Sequence, residues 1–224
     1  YYHLISRRSS SEPIAYILNQ KEFWSKSFFV NENTLVPRPE TELLVERIVK
    51  EFKTKKISIL DIGTGSGCIL ISLICEIKGS IGLGIDISNE AIKVAKINSK
   101  KYCTTNSIKF LKSSITRLLD RKFDVVVANP PYIRSRDIKN LETDIKNFEP
   151  KIALDGGNDG LDVIKKVIYK SKAILKIKGT LALEIGNGQF KKVSKILIEN
   201  NFRIKDVIKD YKENIRCILS TLKY

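Results

Sequence analysis

The sequence predicts an α/β fold: a mostly parallel sheet covered on both faces by helices. Three observations predict it. From Ile57 onward, short β-branched runs alternate with amphipathic stretches of helical period. The first run, Ile57-Ser58-Ile59-Leu60-Asp61-Ile62, opens directly into Gly63-Thr64-Gly65-Ser66-Gly67 and then a helical pattern. The last two strand patterns have no helix between them, so a tight connection at 209–214 makes them antiparallel neighbours.

In chain order, residues 1–36 read as a residual linker or tail followed by a short β-hairpin. Its extended runs are 14–18 and 28–30, around a charged turn. Phe23 and Trp24 are expected to pin the hairpin to the main domain; core packing and substrate contact both suit such aromatics. Residues 37–224 form the second unit. A helix begins after Pro39, with Glu40, Thr41 and Glu42 in its first turn, where acids complement the helix dipole. Leu43, Leu44, Ile48 and Phe52 keep its helical period. Glu40 and Glu42 read equally as helix-terminal acids and as site residues. Strands are predicted over 57–62, 81–85, 108–112, 124–128, 180–185, 203–208 and 215–221, and helices over 67–77, 89–101, 160–176 and 188–200. Residues 133–159 form a long, turn-rich connection containing Asp155-Gly156-Gly157-Asn158-Asp159-Gly160. Connections that long inside a compact domain are usually functional.

Two blocks carry chemistry. The first is the glycine turn with its acids. Glycine permits positive φ and close backbone approach to a ligand. The spacing is Gly-x-Gly-x-Gly; a dinucleotide fingerprint needs glycine where Cys68 stands. The next strand ends in Asp86, about 20 residues past the turn, where an acid can accept bonds from both hydroxyls of a ribose. The second block is Asn129-Pro130-Pro131-Tyr132, which follows the buried-strand pattern Phe123-Asp124-Val125-Val126-Val127-Ala128. Proline cannot donate to a β ladder, so pairing stops at Pro130 and Asn129 is left at the strand's C-terminal edge. An amide side chain, proline carbonyls and an aromatic ring suit a planar NH₂ group: acceptors for its N–H bonds and a flat face for its π system.

Composition bounds the rest. A chain of 224 residues can bury one good-sized core with a small appendage. The 42% apolar content is that of a soluble domain, and no apolar run is long enough for a membrane span. No signal-peptide layout opens the chain, and the four cysteines form no C-x-x-C pair beside a single histidine. A cytoplasmic protein without metal is expected. There is no methionine, even at position 1, so Tyr1 is not expected to be the natural start. The net charge of +15 favours polyanions, but the lysines are spread along the chain and alternate with isoleucine. That pattern fits a compositional bias better than a nucleic-acid groove, and it would also speed encounter with an acidic partner.

Together the glycine turn and Asn129-Pro130-Pro131-Tyr132 resemble a class I S-adenosylmethionine-dependent methyltransferase. The likeness extends to Glu12-Pro13-Ile14-Ala15-Tyr16-Ile17, Glu22-Phe23-Trp24, Leu35-Val36-Pro37-Arg38-Pro39-Glu40-Thr41-Glu42 and Phe148-Glu149-Pro150. Asp159-Gly160-Leu161, Leu183-Glu184-Ile185-Gly186 and Asn214-x-Arg216 complete it. This set is similar to the HemK/PrmC family, which methylates the glutamine amide in the Gly-Gly-Gln motif of peptide-chain release factors. The family usually carries a small helical domain ahead of this point. The resemblance implies a Rossmann-like seven-stranded sheet with an antiparallel last strand, and S-adenosylmethionine as cofactor. It assigns Asp61, Gly63, Thr64, Gly65, Ser66, Gly67, Asp86, Ser114, Ile115 and Asn129 to the cofactor. Asn129, Pro130, Pro131 and Tyr132 would hold the substrate, with Asn129, Pro130 and Tyr132 catalytic; Arg38 and Glu40 would shape the pocket. Ser114 stands where the family has an acid near the adenine. A monomer is expected. Alternatives are a ribosomal-protein glutamine methyltransferase, a DNA or RNA adenine N6-methyltransferase, which normally carries a target-recognition domain, and a degenerate, non-catalytic copy.

Overall fold

The computed structural model describes residues 1–117 and 121–223; Tyr224, the last residue of the second expected unit, lies outside them. The segment expected as a tail contains a helix, α1 (Tyr2–Ser9), which buries none of its side chains. The run at 14–18, expected as an extended strand, is one helical turn, α2 (Ile14–Ile17). Pro13 explains the difference. Its φ of −55° suits a helix start, and its carbonyl accepts the N–H groups of Tyr16 and Ile17 at 2.9 and 3.1 Å. The turn buries Tyr16, whose hydroxyl donates to the Thr34 carbonyl at 2.6 Å.

The hairpin is β1 (Gln20–Phe23) and β2 (Lys26–Phe29), paired antiparallel. Its turn, Trp24-Ser25, has φ of +52° at both residues, the mirror-image geometry that matches strand twist. Neither residue is glycine or asparagine, so the turn is held from outside. The Trp24 main-chain N–H donates to Glu42 at 2.9 Å and its indole N–H to Glu76 at 3.2 Å. Phe23 and Phe28 meet edge to face and are buried in the same apolar cluster as α3 (Pro39–Phe52). The hairpin is thus pinned to the main body, as expected.

The main sheet follows the expected alternation: β3 (Ser58–Ile62), α4 (Cys68–Glu76), β4 (Ile81–Asp86), α5 (Asn89–Lys101), β5 (Ile108–Lys112) and β6 (Phe123–Ala128). The long connection carries α6 (Thr143–Phe148), and after it come α7 (Asp162–Ile174), β7 (Leu175–Glu184), α8 (Phe190–Glu199), β8 (Phe202–Lys209) and β9 (Ile215–Leu222). Spatial order is β5-β4-β3-β6-β7-β9-β8, with β9 antiparallel to both neighbours and the other pairs parallel. One apolar layer packs α3, α4 and α5 against the sheet; the other packs α7 and α8. Strand β7 starts five residues earlier than 180. A bulge lies between the pairs Phe123↔Leu175 and Val125↔Thr180, and Lys178 turns at φ +62°. The 133–159 connection is more regular than expected, containing α6 and 3₁₀ turns at Ser135–Asn140 and Lys151–Ala153. None of the described helices is long and apolar enough to cross a membrane.

The order matters for function. The chain runs from β3 outward to β4 and β5, then returns to place β6 on β3's other side. The carboxyl ends of β3 and β6 flank this reversal, where open α/β sheets bind ligands. Ile62 and Ala128 are register partners, so the glycine turn and Asn129 emerge side by side.

Candidate active site

A cavity of about 840 Å³ opens over those strand ends. Gly63, Thr64, Gly65, Ser66, Asp86, Ser114, Ile115, Asn129 and Pro131 line it. Gly63 and Gly65 adopt φ of +72° and +52°, and a Cβ on either would meet nothing closer than 4.0 Å. The turn is therefore an open cradle whose backbone a ligand can approach closely. Gly67 is different. It caps α4 at φ +80°, and a Cβ there would press on Ile71, Ala95 and Phe110 at 3.1–3.3 Å. Its task is helix–strand packing beneath the cradle.

The two acids sit at different depths. Asp86 is half-buried on the cavity wall, accepting the Gly65 N–H at 3.0 Å and the Ser88 N–H at 2.9 Å. Burial raises its carboxyl above the usual range, against those two bonds. Asp61 does not line the cavity. It is sealed under the turn, where Oδ2 accepts the Thr64 hydroxyl at 2.6 Å and Oδ1 is buried without a partner. Burial pushes this carboxyl up to about 7, against the Thr64 bond. Ser114 lines the cavity, but its hydroxyl lies 2.8 Å from that of Thr116 and accepts the Thr116 N–H at 3.2 Å. Ile115 packs its side chain on the apolar layer beside α7 and α8.

At the lip, Asn129 is half-buried and Pro130 buried. The Asn129 amide nitrogen donates to the Thr41 hydroxyl oxygen at 3.1 Å, and Thr41 donates to the buried Glu184 carboxylate at 2.6 Å. Tyr132 lies behind the lip and outside the cavity lining, its hydroxyl 3.4 Å from the other Glu184 oxygen. Burial pushes Glu184 up to about 7, against the Thr41 bond and the charge of Arg216. Burial, then the nearby Glu184, also raises the Tyr132 phenol.

Two walls complete the site. One is the segment before and into α3: Asn33, Thr34, Leu35, Pro37, Arg38 and Thr41. The other runs from Pro150 to Gly157 on the long connection. Gly156 packs against the main chain of Pro131 and Tyr132, and its N–H donates to the Ile133 carbonyl at 2.8 Å. Gln189 donates to the carbonyls of Tyr132 and Gly160 at 3.0 and 3.1 Å. An ion pair from Arg38 to the buried Glu149 clips the walls together, and Glu149 also accepts the Val36 N–H at 3.1 Å. Glu42 is occupied by the Trp24 N–H, a structural task. Asn214-x-Arg216 closes the β8–β9 turn around Asp210, which accepts from Arg216 at 2.8 Å and from the Asn214 N–H at 2.9 Å. Thr41 and Glu184 had no assigned place in the site from sequence. A hydroxyl in a helix's first turn is ordinary, and nothing in the spacing marks it.

The sheet order, the open glycine cradle and the acid at the end of β4 define the methyltransferase fold. A family model described as "Methyltransferase domain" matches residues 53–202. The chain belongs to the family of release factor glutamine methyltransferases. It is 42% identical over 214 residues to the protein of that name from Buchnera aphidicola subsp. Acyrthosiphon pisum, covering 96% of this chain and 76% of that one. It is 40% identical over 220 residues to the one from Fusobacterium nucleatum, covering 97% and 62%. The chain spans 45% to 62% of the first curated relatives it matches. Among solved structures, a methyltransferase from Pyrococcus furiosus aligns over the full length of both chains with a TM-score of 0.67 at 17% identity, a likeness of fold.

Proposed function

We propose that this chain transfers a methyl group from S-adenosylmethionine to the side-chain amide nitrogen of a glutamine, the one in the Gly-Gly-Gln motif of peptide-chain release factors. The observation that carries this reading is the register pair Ile62↔Ala128, which puts the open glycine cradle and the Asn129 lip into one cavity. The cradle, Asp86 and Ser114 fit the cofactor: bare backbone at Gly63 and Gly65, a half-buried carboxylate for ribose hydroxyls, and a hydroxyl wall. The orphaned Asp61 oxygen beneath them offers an acceptor to a cationic amine, through water. When bound, the cofactor supplies an electrophilic methyl on a sulfonium.

The chain's own residues handle the nucleophile. A glutamine amide nitrogen is weak because its lone pair is delocalised into the carbonyl. Asn129 Oδ1 and the Pro130 carbonyl accept its two N–H bonds, which orients the nitrogen and favours pyramidalisation as the new bond forms. Tyr132, tethered at Glu184, braces the lip from behind. The nitrogen loses a proton to solvent water as it becomes cationic, so no strong base is needed before attack. Alignment supplies most of the acceleration. The enzyme acts as a cytoplasmic monomer in this reading.

The test offers labelled S-adenosylmethionine with a release factor, a ribosomal protein and nucleic acid in parallel. Label is expected on the release factor and lost when its Gly-Gly-Gln glutamine is changed to glutamate or alanine. Label that survives the change, or that appears on nucleic acid, overturns the assignment.

A further inference from the structure

We propose that Thr41 and Glu184 are positioning residues, and that the buried carboxylate sets the direction of a hydrogen-bond chain that turns the Asn129 carbonyl oxygen to the cavity. The proposal rests on the reading of Asn129 as acceptor for a substrate amide.

The oxygen and nitrogen ends of an asparagine amide have nearly the same shape, so only their partners decide which way the group faces. Three residues from three elements make that decision: Thr41 on α3, Asn129 after β6, and Glu184 at the end of β7. An ionised carboxylate only accepts, and Glu184 takes the one hydrogen of the Thr41 hydroxyl at 2.6 Å. The Thr41 oxygen is then limited to accepting, and it receives the Asn129 NH₂ at 3.1 Å. The Asn129 oxygen is left on the other side of the amide, at the cavity that Asn129 lines. Protonating Glu184 reverses the sequence of donors. The carboxyl O–H donates to Thr41, Thr41 donates to Asn129, and the amide turns over. A substrate NH₂ then meets an NH₂, donor against donor.

The groups facing Glu184 come from every neighbouring element. Glu40 on α3 opposes its ionisation, and Arg216 on β9 favours it. Arg216 is itself held by Asp210 at 2.8 Å. The buried Cys217 thiol is opposite Glu184 in the β7–β9 register, and the Tyr132 hydroxyl lies at its second oxygen. Burial dominates and holds the carboxyl near neutrality, so both directions of the chain are within reach of ordinary pH. One carboxylate thus ties down both ends of the Asn129–Tyr132 lip.

The experiment has an arm that needs neither cofactor nor substrate. The ¹⁵N-labelled Asn129 side-chain NH₂ signal, assigned by its loss in Asn129→Ala, is followed from about pH 5 to about pH 9, spanning the raised pKa. A single titration step is expected in the wild type, absent in Glu184→Gln and in Thr41→Val. The second arm measures turnover. Thr41→Val, equal in shape but without the hydroxyl, should lower kcat roughly tenfold with cofactor affinity retained, and Thr41→Ser should recover most of the loss. Wild-type turnover should fall as Glu184 takes up its proton, and Glu184→Gln should flatten that limb. An Asn129 signal that ignores pH in the wild type, or that titrates identically in Glu184→Gln, overturns the proposal. Equal turnover in Thr41→Val and Thr41→Ser does so as well. If the wild type methylates nothing, the substrate assignment fails while the NH₂ titration still decides the hydrogen-bond chain.

Discussion

Replacing Asp86 with alanine tests the cofactor end of the cavity. Each Asp86 oxygen already accepts one backbone N–H, Oδ2 from Gly65 and Oδ1 from Ser88, and each keeps a second acceptor direction for a ribose hydroxyl. A hydrogen bond to a charged group is worth about 1.5–3 kcal/mol, so losing the ribose contacts should weaken S-adenosylmethionine roughly 10- to 150-fold. The Gly65 and Ser88 N–H groups also lose their acceptor. That costs the free protein about 1–3 kcal/mol, and each kcal/mol lowers the melting temperature by about 2–4 °C for a chain of this size. Asp86→Asn keeps one acceptor oxygen and should fall between alanine and the wild type. Calorimetric titration gives the affinity, and a melting curve without cofactor isolates the folding penalty. A folded Asp86→Ala protein with wild-type affinity would refute the argument and place the ribose elsewhere.

The other end of the site gives a complementary pattern. Asn129→Ala should cut methyl transfer by orders of magnitude and leave cofactor affinity nearly unchanged, because its oxygen serves a group that needs it most in the transition state; near-normal turnover would remove Asn129 from the mechanism. Arg38→Met should cost about 2–3 kcal/mol in urea denaturation, less than a fully buried pair, because the Arg38 side chain is 30% exposed and Glu149 can take up a proton. Adding Glu149→Gln should recover part of that loss, and a single variant as stable as the wild type would mean the clip is ornamental. Asp61 has a folded-state pKa raised to about 7 from 3.8, so in that window the folded state binds more protons than the unfolded state. Its contribution is fully present below the unfolded value and is lost as pH rises through the folded one. The melting temperature of Asp61→Asn relative to the wild type should therefore climb from about pH 4 to about pH 8, and a gap that is flat or shrinking would show Asp61 to be ionised throughout.

The central sheet was legible because its strands are buried on both faces and read as unbroken β-branched runs, such as Val125-Val126-Val127. The lip was legible because Pro130 and Pro131 announce where pairing ends. The hairpin was misplaced for the opposite reason. Its strands, Gln20-Lys21-Glu22-Phe23 and Lys26-Ser27-Phe28-Phe29, are short and polar, while the more apolar run at 14–18 is a helical turn started by Pro13. Its turn lacks the glycine or asparagine that usually signals one, since Trp24 is held by acids 18 and 52 residues away. The Thr41–Glu184 link has no signature in the sequence because it joins residues 143 positions apart through one hydroxyl, and no local pattern encodes such a bond.

The clip between Arg38 and Glu149 also divides the labour of the molecule. The part proposed to grip the cofactor grows out of the sheet itself, at the ends of β3 and β4. What fences the rest of the cavity comes from two excursions that leave the sheet, one before α3 and one between β6 and α7, fastened to each other across the opening. A protein arranged in this way can exchange its fence for another and admit a different guest while its grip on the methyl donor stays as it was. Where the two excursions meet, a matched pair of charges and the Val36 N–H bond to Glu149 hold them together.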